Sequence, residues 1–299
     1  MATAARSRPK MPPYVLFAVM VAALILGAGA FAPWLAAVDP TSTASFNLMD
    51  AEIPPSFVEG GEPRFLLGTD NQGRDLLSAI LYGARISIMI GVAAVALAAT
   101  IGVTLGLLAG FLGGWVDAVI MRVADVFMSL PTILLALLVA GIARAVIPGA
   151  NGATWAPVIL IIAIAINEWV AYARTVRAAT MVESSRDYVR AVRIMGLPTR
   201  TILFRHVLPN VAGPILVIST INLGAAVLTE ATLSFLGVGM PPDYPSLGTL
   251  IRIGNEFVFS GIWWITVFPA VLLVTLVLAT NIVGDWLRDI FNPKLESGQ

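Results

Sequence analysis

The apolar positions of this 299-residue chain come in long blocks, separated by short polar connections. Six blocks meet or approach the ~18 residues needed to cross a bilayer. They are Met11–Val38, Ile86–Leu112, Val126–Ala143, about Ala156–Tyr172, Val207–Thr229 and Phe257–Gly284. They predict an all-α integral membrane protein with six transmembrane helices. Pro131, Pro214 and Pro269 fall inside the blocks and are expected to kink them or to mark a helix start. Gly102, Gly106 and Gly110 recur every fourth residue, a spacing that lets a neighbouring backbone come close.

The connections divide the chain into a region at 1–80 and a region at 81–299. The first holds a polar tail, the first span and an external stretch rich in Asp, Glu, Pro and Gly. That stretch is too short for its own core and is expected to pack against the helices. The second holds the remaining spans and one unusual connection, about 183–209, containing RDYVRAVRIMGLPTRTILFRHVLPN. Read as a helix from Arg186 to Met195, it places Tyr188, Val189, Val192 and Met195 on an apolar face and Arg186, Arg190 and Arg193 on a basic one. Gly196 is a natural stop and Pro198 suits the first turn of a second short helix, which LPN then ends. The apolar face is expected to fill a groove in a cytoplasmic partner, with the arginines secondary. The other reading of the pattern is an interfacial helix on anionic membrane lipid.

Composition sharpens this picture. The chain is 58% hydrophobic and 12% charged, with a mean hydropathy of +0.88. It has no cysteine and a single histidine, His206, so neither a disulfide framework nor a metal centre is expected. Its two lysines, Lys10 and Lys294, follow no Gly-x-x-x-x-Gly, so nucleotide energy would have to come from another chain. No cofactor is expected, and zero net charge gives no support to nucleic-acid binding. Tyr14–Val38 is uncharged and longer than a cleaved signal's core, so it reads as a retained signal anchor.

Charge also predicts orientation. With the amino terminus in the cytoplasm, thirteen of the eighteen Lys/Arg residues fall on or near the cytoplasmic side, and only Arg64, Arg74, Arg85, Arg144 and Arg252 fall outside. Both termini and the 183–209 connection are then cytoplasmic. Asp117 and Asp125, beside Arg122, read as a polar cluster at that edge. Trp34, Trp155, Trp263, Trp264 and Trp286 suit an aromatic belt.

Polar groups at bilayer depth are costly and face an interior or a cavity. Asn167 and Glu168, midway along the fourth block, and Asn222 and Glu230 in or just beyond the fifth, are candidates for a translocation path or a subunit interface. Asn222 also reads as interhelical glue, and Glu230 as an anchor for the outer loop.

The basic connection resembles the EAA loop of ABC-importer permeases, E-A-A-x-x-x-G-x9-I-x-L-P. Here Arg190-Ala191-Val192 stands at E-A-A, Gly196 at the glycine, His206 at the isoleucine and Leu208-Pro209 at the final pair. LLGTDNQGRDLLSAILYGARISI, WVAYARTVRAA, RHVLPN and LTEATLSFLGVGMPPDYPSLGTLI are similar to the C-type permease subunit of dipeptide and oligopeptide importers, over about Leu66–Asp289. The resemblance implies the type I permease architecture in the bacterial inner membrane. It implies no catalysis in this chain, a coupling role for 183–209, and a second permease subunit as heterodimer partner. Two cytoplasmic ATP-binding subunits and an external substrate-binding protein complete the implied transporter. The alternative is a self-contained channel or secondary transporter, which would need broken helices and midplane ion ligands that the sequence does not display.

Overall fold

The computed structural model describes residues 11–42, 47–149 and 152–291. Eleven helices are described in it. α1 (Pro13–Ala30) and the short α2 (Ala32–Leu35) open the chain. α3 (Leu76–Leu112), α4 (Gly114–Ser129), α5 (Thr132–Val146) and α6 (Ala156–Ser184) follow. α7 (Asp187–Ile194) and α8 (Thr199–Thr201) lead through a wide turn, Ile202–Val207, into α9 (Leu208–Phe235). α10 (Leu247–Asn255) and α11 (Trp264–Phe291) complete the order. Five helices are long and apolar enough to span a membrane, and the bent α4–α5 pair makes six when it is counted as one span.

Three sequence-based boundaries shift. The third block is no straight span, because α4 and α5 meet at 94°. The break itself is local, whatever sets the angle: Leu130, preceding Pro131, is pushed to an extended conformation (φ −95°, ψ 134°), which ends α4. α3 starts at Leu76, ten residues ahead of its apolar block, because the Asp75 side chain caps it by accepting from Ser78 N at 2.8 Å. A boundary at 80 therefore falls inside a continuous helix. The residues from Phe257 to Ile262 lie outside α11 in a 3₁₀ turn and loop, with Phe259 fully exposed.

α3 is the central helix and packs against α1, α6, α9 and α11. Its contact with α6 is built from small residues. A Cβ on Gly106 would lie 2.6 Å from the Ala173 carbonyl oxygen, so only glycine permits the observed approach. Ala94, Ala98 and Leu107 of α3 are buried, as are Leu160, Ala163, Tyr172 and Val176 of α6. α1 buries one face, Val15, Ala18, Ala22 and Ile25, and leaves Leu16, Phe17, Met20 and Leu24 exposed on another, as expected of a helix at the lipid boundary.

The stretch before α3 packs against the helices as its composition predicts. Asp70 and Arg74 form a wholly buried ion pair at 2.6 Å, and Asp70 also accepts from Gln72 N and Arg74 N. Arg74 Nη1 reaches across to the Pro242 carbonyl at 3.0 Å. Breaking such a pair from one side costs about 3–5 kcal/mol, since the remaining charge stays buried. Trp264 is no belt residue: it is 6% exposed and its Nε1 donates to the Thr69 carbonyl. Trp34, at 77% exposure, is free to meet the bilayer interface.

Candidate functional site

The basic connection forms the end of the bundle opposite Arg74. α7 stops where expected. Gly196 has φ +77°, and two hydrogen bonds close the helix end, Gly196 N to the Arg193 carbonyl and Leu197 N to the Val192 carbonyl. This paired arrangement satisfies the last carbonyls and needs a left-handed residue at Gly196. LPN does not end the second helix. Pro209 has no N–H to give the Arg205 carbonyl, and the chain widens into an i→i+5 turn at Ile202–Val207 and continues into α9.

The two faces of α7 are used differently from the expectation. Val189 is fully buried and Val192 partly so, packed with Leu107 of α3, Val176 of α6 and Ile202, Leu203, Val207 and Val211 of the helix that follows. These valines seat α7 on its own bundle and offer nothing to a partner groove. A short amphipathic helix beside three span ends buries its apolar stripe in the nearest core. The exposed surface is its tip and flank: Ile194 at 87%, Met195 at 69%, and the exposed Arg190 and Ala191. Arg193 lies with its guanidinium 4.7 Å from the centre of the Phe111 ring.

Tyr188 fastens the base of α7. Its hydroxyl donates to Glu183 at 2.6 Å and accepts from Asn210 Nδ2 at 3.0 Å, joining α6, α7 and α9. Desolvation, with the Glu183 carboxylate beside it, pushes the phenol up to about 12, so this fastening keeps its proton across physiological pH. Leu208 and Pro209 form the first turn of α9 beneath it. At the same end, Arg177 grips both oxygens of Asp117, and Arg174 pairs with Asp125 at 2.6 Å. The acidic partners of the expected edge cluster are thus α6 arginines, with Arg122 exposed to the side.

The four polar candidates within the spans separate. Asn167 donates to Thr132 Oγ1 at 3.0 Å, holding α6 against the start of α5 at the bend. Glu168 makes no ion pair among the described residues and lies one turn before Tyr172, whose hydroxyl contacts Ser219 Oγ at 3.2 Å and faces Asn222. Asn222 is buried and its Nδ2 has no hydrogen-bond partner among the described residues. Glu168, Tyr172, Ser219 and Asn222 therefore form one polar patch between α6 and α9. Glu230 stands apart. It is fully buried, accepts from Ser234 at 2.7 Å and is surrounded by Ser87 and Ser246, which ties α9 to α3 and the start of α10. That is the anchor reading, not a path.

Residues 102–297 match the family described as the inner membrane component of binding-protein-dependent transport systems. The chain belongs to this family. Among its relatives, the di/tripeptide transport permease DppC of Pseudomonas aeruginosa (strain UCBPP-PA14) is 40% identical over 92% of this chain and 86% of the relative. The dipeptide permease DppC of Haemophilus influenzae (strain ATCC 51907 / DSM 11121 / KW20 / Rd) is 38% identical over 94% of this chain and 90% of its own length. A chain of the inward-facing MetNI methionine ABC transporter superposes with a TM-score of 0.56 over 73% of this chain and 98% of that one, at 21% identity, a likeness of fold.

This protein is thus a multi-pass inner-membrane permease subunit of a binding-protein-dependent ABC importer, with the type I permease architecture, and the channel and secondary-transporter alternative falls. Homologous permeases work with ATP-binding subunits and a binding protein. Two features of this permease had weaker signals in the sequence. The Asp70–Arg74 pair was visible only as an Asp and an Arg four apart around Gly73, a turn signal whose long-range contact with Pro242 no local pattern encodes. Arg144 donates to the Gly237 and Gly239 carbonyls, clasping the end of α5 to the loop after α9.

Proposed function

We propose that this permease subunit pairs with a second, different permease subunit and carries di- and tripeptides or similar small solutes released by the external binding protein. The cargo reading is supported by relatives 38–40% identical that are named for dipeptides and di/tripeptides. The subunit performs no covalent chemistry. Two cytoplasmic ATP-binding subunits do the work of hydrolysis, and 183–209 transmits their movement to the spans. The observation that carries this reading is the mounting of α7: its base is fused to the ends of α3, α6 and α9, while Ile194 and Met195 project. A load on the tip would reach three spans at once, as alternating access between two packings of similar free energy requires.

In this reading Glu168 and Asn222, with Asn167 at the α5 bend, line the path or the subunit interface. The complete transporter in proteoliposomes is expected to accumulate labelled dipeptide only with ATP and loaded binding protein. Glu168→Gln is expected to assemble normally and to slow uptake by about tenfold, the effect of about 1.4 kcal/mol. Wild-type uptake by that variant across a pH series would remove Glu168 from both roles. Failure of the wild-type transporter to accumulate any di- or tripeptide would refute the cargo.

Both termini and α7 are placed in the cytoplasm. The arginine asymmetry supports this, although Arg6, Arg8, Lys10 and Lys294 lie outside the described residues. The chain has no cysteine, so Ser185→Cys offers a single labelling site. It is expected to react with an impermeant thiol reagent in inverted vesicles and not in intact cells. Labelling from outside would reverse the topology.

A further inference from the structure

Thr199–Phe235 is one continuous 37-residue helix. At ~1.5 Å per residue it is about 55 Å long, against a hydrocarbon core of about 30 Å. Its ends must project. The apolar run begins at Val207, which puts Arg205 about 3 Å and Arg200 about 10 Å beyond it along the axis. The headgroup layer is about 5–8 Å thick on each side of the core, so a cleft between these arginines sits at phosphate depth.

Such a cleft exists. Arg200, Thr201, Phe204 and Arg205 line an open hollow of about 350 Å³. The wide turn explains why. In a regular α-helix, residues five apart diverge by about 140° around the axis. The i→i+5 turn at Ile202–Val207 narrows that angle and brings both arginines to one hollow. Neither arginine makes an ion pair among the described residues, where Arg174 and Arg177 both do. Phe204 beside them is 53% exposed.

We propose that this cleft binds the phosphate headgroup of an anionic phospholipid. The guanidinium forks of Arg200 and Arg205 and the Thr201 hydroxyl donate to phosphate oxygens, and Phe204 rests on the glycerol and first acyl carbons. An aromatic ring beside two unpaired cations at the start of a span suits an amphiphile better than an acidic protein segment. The site lies within the 183–209 connection but away from the α7 tip, and it rests on the coupling reading in that the ATP-binding subunits engage the exposed Ile194 and Met195 and leave this cleft to the membrane.

The test uses the complete transporter, purified with its ATP-binding subunits and stripped of lipid, then titrated with phosphatidylglycerol or phosphatidylcholine under native mass spectrometry. Phosphatidylglycerol is expected to bind and phosphatidylcholine not. Each arginine near an anionic headgroup is worth about fivefold in affinity, so Arg200→Gln with Arg205→Gln should weaken binding about 25-fold. The Arg→Lys pair, which keeps charge but loses the fork, should fall between, which separates a binding defect from misfolding. Unchanged phosphatidylglycerol affinity in the Gln pair would overturn the proposal. So would displacement of the lipid by an equimolar amount of inorganic phosphate, which would show that the glycerol and acyl carbons add nothing and mark a site for free anion. Loss of the ATP-binding subunits from the Gln pair in lipid-free detergent would also overturn it, assigning the arginines to a protein contact.

Discussion

Gly106→Leu is expected to remove the folded permease from the membrane, and Gly106→Ala to lower its stability by about 1–3 kcal/mol. The α3–α6 contact leaves no room for a side chain. A Cβ at Gly106 would stand 2.6 Å from the Ala173 carbonyl oxygen and 2.9 Å from Val176 Cβ, closer than such atoms approach. The nearest of these is backbone, so no rotamer change relieves it, and the helices must separate. Overpacking of this kind costs about 1–3 kcal/mol for a methyl and more for a full side chain. Separation would also disturb the neighbouring seat of α7, because Leu107 and Val176 belong to the cluster that holds Val189. Gly27→Leu is the control, since nothing lies within 4 Å of a Cβ there. Thermal unfolding of the detergent-solubilised protein, followed by the loss of monodisperse material, reads the difference. Equal stability of Gly106→Leu and Gly27→Leu would show that the described α3–α6 packing is wrong.

The second large effect is expected at the tip of α7. Ile194→Asp with Met195→Asp should leave the permease folded, because both side chains are largely exposed, and should abolish uptake. Buried apolar anchors dominate interface energies, with the largest worth 2 kcal/mol or more each, so losing two should weaken the contact by at least about 100-fold. Val192→Asp should fail differently. Val192 packs inward, and a carboxylate there would unseat α7 from its own bundle and lower the stability of the permease itself. Gly196→Val should resemble Val192→Asp, since a β-branched residue at φ +77° is strained whatever surrounds it. Uptake measured beside thermal stability distinguishes the two classes.

The long apolar blocks made the spans legible because bilayer thickness sets a length that local composition reveals. Gly196 was legible because a left-handed helix end has one cheap residue, and Gly106 because a four-residue glycine repeat has one main use. The errors share a cause. Whether Val189 and Val192 turn inward, and whether Trp264 meets lipid or the Thr69 carbonyl, depend on contacts distant in sequence, and so does the choice between the path and anchor readings of Glu230, which the sequence left side by side. The bend at Pro131 was half legible. Proline marked the position, but the 94° angle is set by how α4 and α5 pack on α6.

The projecting tip of α7 is proposed as the contact through which ATP-binding subunits move this permease. The most direct measurement is the affinity of the purified ATP-binding subunits for the permease pair carrying Ile194→Asp and Met195→Asp, set beside wild type and Arg190→Ala. A loss of at least about 100-fold is expected for the tip pair and a modest, salt-dependent change for Arg190→Ala. Wild-type affinity in the tip pair, with the permease folded, would contradict it.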